Sequence, residues 1–124
     1  MDYYRAFWIE SSFTFVARGN RPVGLELTCR IPDADGDAQM FEIFMNDEPV
    51  VSLPGGPRWR RYSLQVEQRW LREGINSIRI RWPARPADQS EKLLQVIDSL
   101  RRERLRPLFQ IFGEIHTFTV AATA

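Results

Sequence analysis

Residues 24–31 read GLELTCRI, and their order decides what kind of layer this chain builds. Leu25, Leu27, Cys29 and Ile31 take every second place, with Glu26, Thr28 and Arg30 between them. Successive side chains of a strand point to opposite faces, so this stretch buries one face and wets the other. A helix would return its apolar residues every three or four positions instead.

The alternation spreads outward from there. Phe13 and Phe15 alternate with Ser12 and Thr14, and Phe41, Ile43 and Met45 alternate within QMFEIFMN. Ile78, Ile80 and Trp82 oppose Ser77, Arg79 and Arg81. Phe44 falls on the polar side of its strand, which predicts that this outer face is partly covered. One-sided strands of this kind call for two sheets packed face to face or a closed barrel, and the predicted fold class is an all-β antiparallel β-sandwich. At 124 residues the chain suits one such domain, 1–124, with one hydrophobic core.

The turns agree with that reading. Gly19-Asn20-Arg21-Pro22 and the run from Pro32 to Asp37 are turn clusters. Asn46-Asp47 separates two strands, and both residue types tolerate the left-handed backbone of a tight hairpin. Pro54-Gly55-Gly56-Pro57 is a break. Gly74 can close a single helical turn formed over 68–73. One longer helix is predicted over 89–106, before the last strand. Asp88 and Glu91 have capping-box spacing, and Leu93, Leu94, Ile97 and Leu100 form an apolar stripe. Pro107 stops it, and IFGEIHTFTVAA returns to strand character.

Composition excludes several classes of function. Net charge is +1, with sixteen acids against seventeen basic residues, so general nucleic-acid binding has no support. No apolar run approaches the roughly 18 to 20 residues that cross a bilayer. MDYYRAFWIE lacks the pattern of a secretory leader, which predicts a cytoplasmic protein if the chain is complete. Cys29 is the only cysteine; no intrachain disulfide can form, and a buried thiol is expected. Lys92 is the one lysine among many arginines, a bias that either GC-rich coding or an anionic partner explains.

From Phe41 to Trp82 the chain resembles part of the galactose-binding-like jelly-roll domains, which accompany glycosidases and sulfatases and also occur as carbohydrate-binding modules. The resemblance runs through FEIFMND, WRRYSLQV and WLREGINSIRIRW, with Asn46, Trp59, Tyr62, Leu64, Leu71, Gly74, Asn76, Ile78 and Ile80 at the recurring positions. It implies a jelly roll, with Trp59, Tyr62 and Leu64 filling the space between the sheets. Independently of the family, the Asn76 side chain can bond nearby backbone as its strand begins.

Catalytic chemistry has little to work with. His116 is the only histidine, so a multi-histidine metal site cannot form, and no G-x-S-x-G elbow is present. Glu42, Glu48, Glu67, Glu73 and Glu114 offer carboxylates, but nothing in the sequence pairs two of them for glycosidase chemistry. Asp33, Asp35 and Asp37 alternate and could hold Ca²⁺; a solvated turn is the default reading, and Phe44 stands where an EF-hand would need glutamate.

The ligand-binding candidates are Trp59, flanked by Arg58 and Arg60, together with Trp70; either tryptophan could instead be core. Loops near 18–22, 54–60 and 83–88 are expected to share one end of the sandwich as a shallow recognition surface. The leading expectation is a non-catalytic accessory module that recognises carbohydrate or a partner enzyme's surface. The alternative is a structural or oligomerisation domain that buries the helix stripe or Tyr3, Tyr4, Phe7 and Trp8. A small hydrolase or isomerase with an unrecognised carboxylate site comes third.

Overall fold

Eight strands account for almost all the regular structure of the computed structural model, which describes residues 3–18, 21–32, 34–84 and 111–122. They are β1 Tyr4–Ala6, β2 Glu10–Ala17, β3 Val23–Arg30, β4 Gln39–Met45, β5 Glu48–Gly55, β6 Arg60–Val66, β7 Gly74–Arg81 and β8 Gly113–Ala122. One sheet has the order β1-β8-β3-β6 and the other β2-β7-β4-β5, with every pairing antiparallel. Only β4 and β5 are consecutive within one sheet; every other step along the chain crosses to the facing layer.

The alternating residues meet between the layers as expected. Leu25, Leu27, Cys29 and Ile31 from one side face Phe41, Ile43, Met45, Ile78, Ile80 and Trp82 from the other, all buried. Tyr62 is buried against this core, with its ring edge 5.2 Å from Phe41 and its hydroxyl donating to the Pro54 carbonyl at 2.6 Å. Trp82 donates its indole N–H to the buried Ser11 hydroxyl at 3.0 Å, which satisfies both polar atoms inside the apolar layer. Outside, the Arg79 guanidinium lies 4.5 Å from the Phe44 ring centroid, the partial cover that Phe44 called for.

The turns carry backbone that their residues permit. Asn46 and Asp47 have φ of 50° and 68°, so both centres of the β4–β5 hairpin are left-handed, as the right-handed strand twist favours. Between β6 and β7 the chain makes a short 3-10 turn, Gln68–Trp70, and Gly74 starts β7 at φ 95°. Asn76, fully buried, ties this corner together. Its Oδ1 accepts from Arg72 N and Asn46 Nδ2 at 2.9 Å each, and its Nδ2 donates to the carbonyls of Arg72 and Gly74.

The helix predicted over 89–106 lies outside the described residues. Among those described, the 3-10 turn is the one helical element, and no helix is long and apolar enough to cross a membrane.

Candidate functional site

Strand register brings a group of polar and aromatic side chains onto the outer face of the β1-β8-β3-β6 sheet. Cys29 pairs with Arg60 and faces inward, so Arg30 points outward and its cross-strand neighbour is the next residue back, Trp59. Arg30 places its Cζ 4.4 Å from the Trp59 ring centroid. Opposite Arg30 on the other side stands Glu114, and opposite Glu114 stands Arg5. Three adjacent strands thus align Arg5, Glu114 and Arg30 in one row.

Glu114 is 2% exposed and accepts from both arginines, at 3.0 Å from Arg5 Nε and 2.8 Å from Arg30 Nε. Each carboxylate oxygen therefore has its own guanidinium, the pairing a buried charge requires. The bond to Glu114, and then one to the Tyr3 hydroxyl at 2.6 Å, raise the Arg5 guanidinium above its ordinary value. Tyr3 in turn packs edge-on against Trp59, with centroids 5.6 Å apart.

His116 completes the group through a register break. Thr28 pairs with Thr117 and Cys29 with Ile115, so β8 carries one extra residue there, and that residue is His116. The bulge leaves it exposed, with its ring 5.9 Å from Trp59. The result is an aromatic ledge, Trp59 and Tyr3, set beside two arginines whose orientation is fixed from below.

The tryptophan candidates divide. Trp59 does not fill the space between the sheets; it is half-buried on the outer face, because Arg60 pairs with inward-facing Cys29 and its predecessor takes the opposite face, while Arg60 itself is exposed at the strand end. Arg58 is exposed, and Arg60 lies over the Tyr62 ring at 5.3 Å. Trp70 is remote from all three. The seven-residue strand β6 runs from Arg60 to Val66, and Trp70 follows beyond its far end, packed against the core with Arg69 over its ring at 4.4 Å.

The expected loop surface also divides. Ala17 pairs with Gly74 and Val23 with Val66, which puts Arg18, Arg21 and Pro22 at the end that holds the 3-10 turn; residues 19–20 lie outside the described residues. Arg60 pairs with Cys29, and Trp82 N donates to Ile9 O, which puts 54–60 and 83–84 at the opposite end. Antiparallel strands that each traverse the sandwich alternate their connections between its ends, so these loops cannot form one surface. Residues 85–88 lie outside the described residues, as does Asp33 of the possible calcium trio. Asp35 and Asp37 are exposed, and among the described residues no three His, Cys, Asp or Glu side chains gather as a metal site.

Over 93% of its length the chain superposes on a family 35 carbohydrate-binding module from an environmental isolate, with TM-score 0.50, 13% identity and 70% of that chain covered. The fold is a galactose-binding-like jelly roll. A ruminal GH26 endo-β-1,4-mannanase contains a similar jelly roll: 98% of this chain matches 19% of that enzyme, with TM-score 0.54 and 12% identity. The chain thus spans about a fifth of that enzyme's length. No protein-family model and no curated protein sequence matches the chain.

Two members of the Trp59 group, Arg5 and Arg30, were not among the sequence candidates; Glu114 was named only as an unpaired carboxylate, and Tyr3 was not singled out with Trp59. Arg30 and Glu114 alternate with core residues like any solvent-facing pair. Only the pairing of β3 with β8 places them within hydrogen-bond reach.

Proposed function

We propose that this jelly roll is a non-catalytic carbohydrate-binding module and that Trp59 and Tyr3 form its ligand ledge. The observation that carries the reading is its likeness, over nearly the whole chain, to a module that binds carbohydrate. Fold alone does not imply function, so the ledge is what makes the reading concrete. Two aromatic rings on a sheet face, next to fixed hydrogen-bond donors, suit the apolar face and the hydroxyl rim of a sugar ring. The span of about a fifth of a mannanase fits an accessory role beside a catalytic domain.

The test is affinity electrophoresis and tryptophan fluorescence against mannan, xylan, galactan and sulfated and uronate-bearing glycans. Binding to at least one polymer, weakened about tenfold or more by Trp59→Ala in a folded variant, is the expected result. Silence across the whole panel would sink the proposal.

A specific observation favours a second reading, a surface for another domain or copy. Val16 and Ile75 are cross-strand partners on the outer face of the other sheet, 68% and 69% exposed, and Trp8 is 79% exposed. Light scattering of wild type and of Val16→Lys/Ile75→Lys tests it: a dimer that the double variant dissociates supports an interface, and a monomer in both removes it.

A further inference from the structure

Glu114 is an unusual residue to find almost fully buried on the solvent side of a sheet. Apolar residues in place of all three of Arg5, Glu114 and Arg30 would stabilise the fold about as well, since the desolvation of buried charges offsets much of their mutual attraction. Its geometry suggests another use. It holds both guanidiniums through their Nε atoms, one on each oxygen. One Arg5 Nη donates to Tyr3, and Arg30 makes no further hydrogen bond among the described residues. The Arg30 side chain is 29% exposed and that of Arg5 51%, so both guanidiniums reach solvent while their stems stay fixed.

The charges do not cancel. Two guanidiniums against one carboxylate leave a net positive charge, and exposed His116 stands beside them. The other acid on this face, Glu26, has both oxygens 2.8 Å from Arg61 and is committed there. Trp59 and Tyr3 wall the arginines on one side, which reduces solvent screening around any anion that binds.

We infer that Arg5 and Arg30, braced by Glu114 and bordered by Trp59, form an oxyanion subsite for a sulfate ester on the bound glycan. The inference rests on the carbohydrate-binding reading above and names the class of sugar. A carboxylate offers two acceptor oxygens in one plane, as Glu114 does to Arg5 and Arg30. A sulfate ester has three terminal oxygens in a tetrahedral array and can accept from two guanidiniums at once. Two arginines converging on one point from different strands present that kind of paired donor set.

Chondroitin sulfate and unsulfated chondroitin are the probes, because they share one uronate-bearing backbone and differ only in sulfate. Isothermal titration at about 0.1 M salt, where long-range attraction is screened beyond about 10 Å, is expected to show at least tenfold preference for the sulfated polymer. Arg30→Ala and Arg30→Lys should both abolish that preference; the lysine variant keeps a cation beside Glu114 and so guards against a mere loss of folding. Arg61→Ala, on the same face but outside the row, should preserve the preference. Equal affinity for the two polymers overturns the inference, as does equal loss in the Arg61 variant, which would mean diffuse polyanion attraction. If neutral mannan or xylan binds through Trp59 while sulfate adds nothing, the subsite falls and the carbohydrate-binding reading stands. If no glycan binds, both fall.

Discussion

Trp82 lies flat against Gly113, so close that a methyl group on that glycine would sit 2.5 Å from three ring carbons. The indole is buried and pinned through its N–H to Ser11, so it cannot swing aside without breaking that bond. Gly113 opens β8, the strand that carries Glu114 and His116. Its lack of a side chain lets this strand approach the core closely enough to set their positions.

Gly113→Ala should therefore destabilise the protein by about 1–3 kcal/mol, since overpacking against a rigid ring forces the backbone to move. Urea unfolding measures it directly. A variant as stable as wild type would mean that β8 does not run this close to Trp82.

Truncation should separate two tryptophans that look alike in composition. Trp82→Ala empties a buried site and should cost about 3–5 kcal/mol. Trp59→Ala removes a half-buried ring on the outer face and should cost roughly half that or less. Parallel urea titrations decide the ranking; similar losses would place Trp59 in the core.

Asn76→Ala would leave the Asn46 amide and the Arg72 backbone N–H short of their acceptor in a buried corner. A loss of at least about 2 kcal/mol is expected, because each orphaned polar group keeps its full desolvation cost. Asn76→Asp tests the donor side separately: it keeps the acceptor but removes the donation to the Arg72 and Gly74 carbonyls. Hydrogen exchange at the Arg72 N–H should rise in Asn76→Ala, which removes its acceptor, and less in Asn76→Asp, which keeps it.

Burial pushes the Cys29 thiol from its ordinary 9.0 up to about 12. At pH 8 roughly one molecule in ten thousand then carries the thiolate, and Ellman's reagent should label the native protein far more slowly than the unfolded chain. The same shift sets a pH dependence. The folded pKa is raised, so the stabilisation is complete below pH 9 and is lost as pH climbs toward 12. There the unfolded thiol has released its proton and the folded one has not. The slope contributed is about 1.4 kcal/mol per pH unit, and Tyr62, also raised by burial, acts in the same direction. Urea midpoints from pH 8 to 11 check it; Cys29→Ala should flatten the decline.

The strands were legible because their pattern is local. Each inward residue of 24–31, 41–45 and 78–82 announces itself by its neighbours two places away, and all of them are buried. The hairpin at Asn46-Asp47 was legible for the same reason, since left-handed backbone selects its residues on the spot, whereas Gly74, expected to close a turn over 68–73, instead opens β7 after a 3-10 turn that ends at Trp70. Trp59 was legible as a candidate, but not its face. An aromatic residue next to arginines reads equally well as core or as surface until the register with Cys29 is known.

The amino-acid order by itself determined that one-sided strands would enclose an apolar interior, as a sandwich or a closed barrel, because alternation with a period of two gives each strand one face to bury. Which strands became neighbours was decided only in three dimensions, since pairing is a choice among distant segments with similar patterns. That choice put β8 between β1 and β3, brought Arg5, Glu114 and Arg30 together from positions far apart in the chain, and sent Ala17 and Arg60 to opposite ends. Solvent-facing residues carry no periodic mark of their partners, so the candidate site became visible only in the folded molecule.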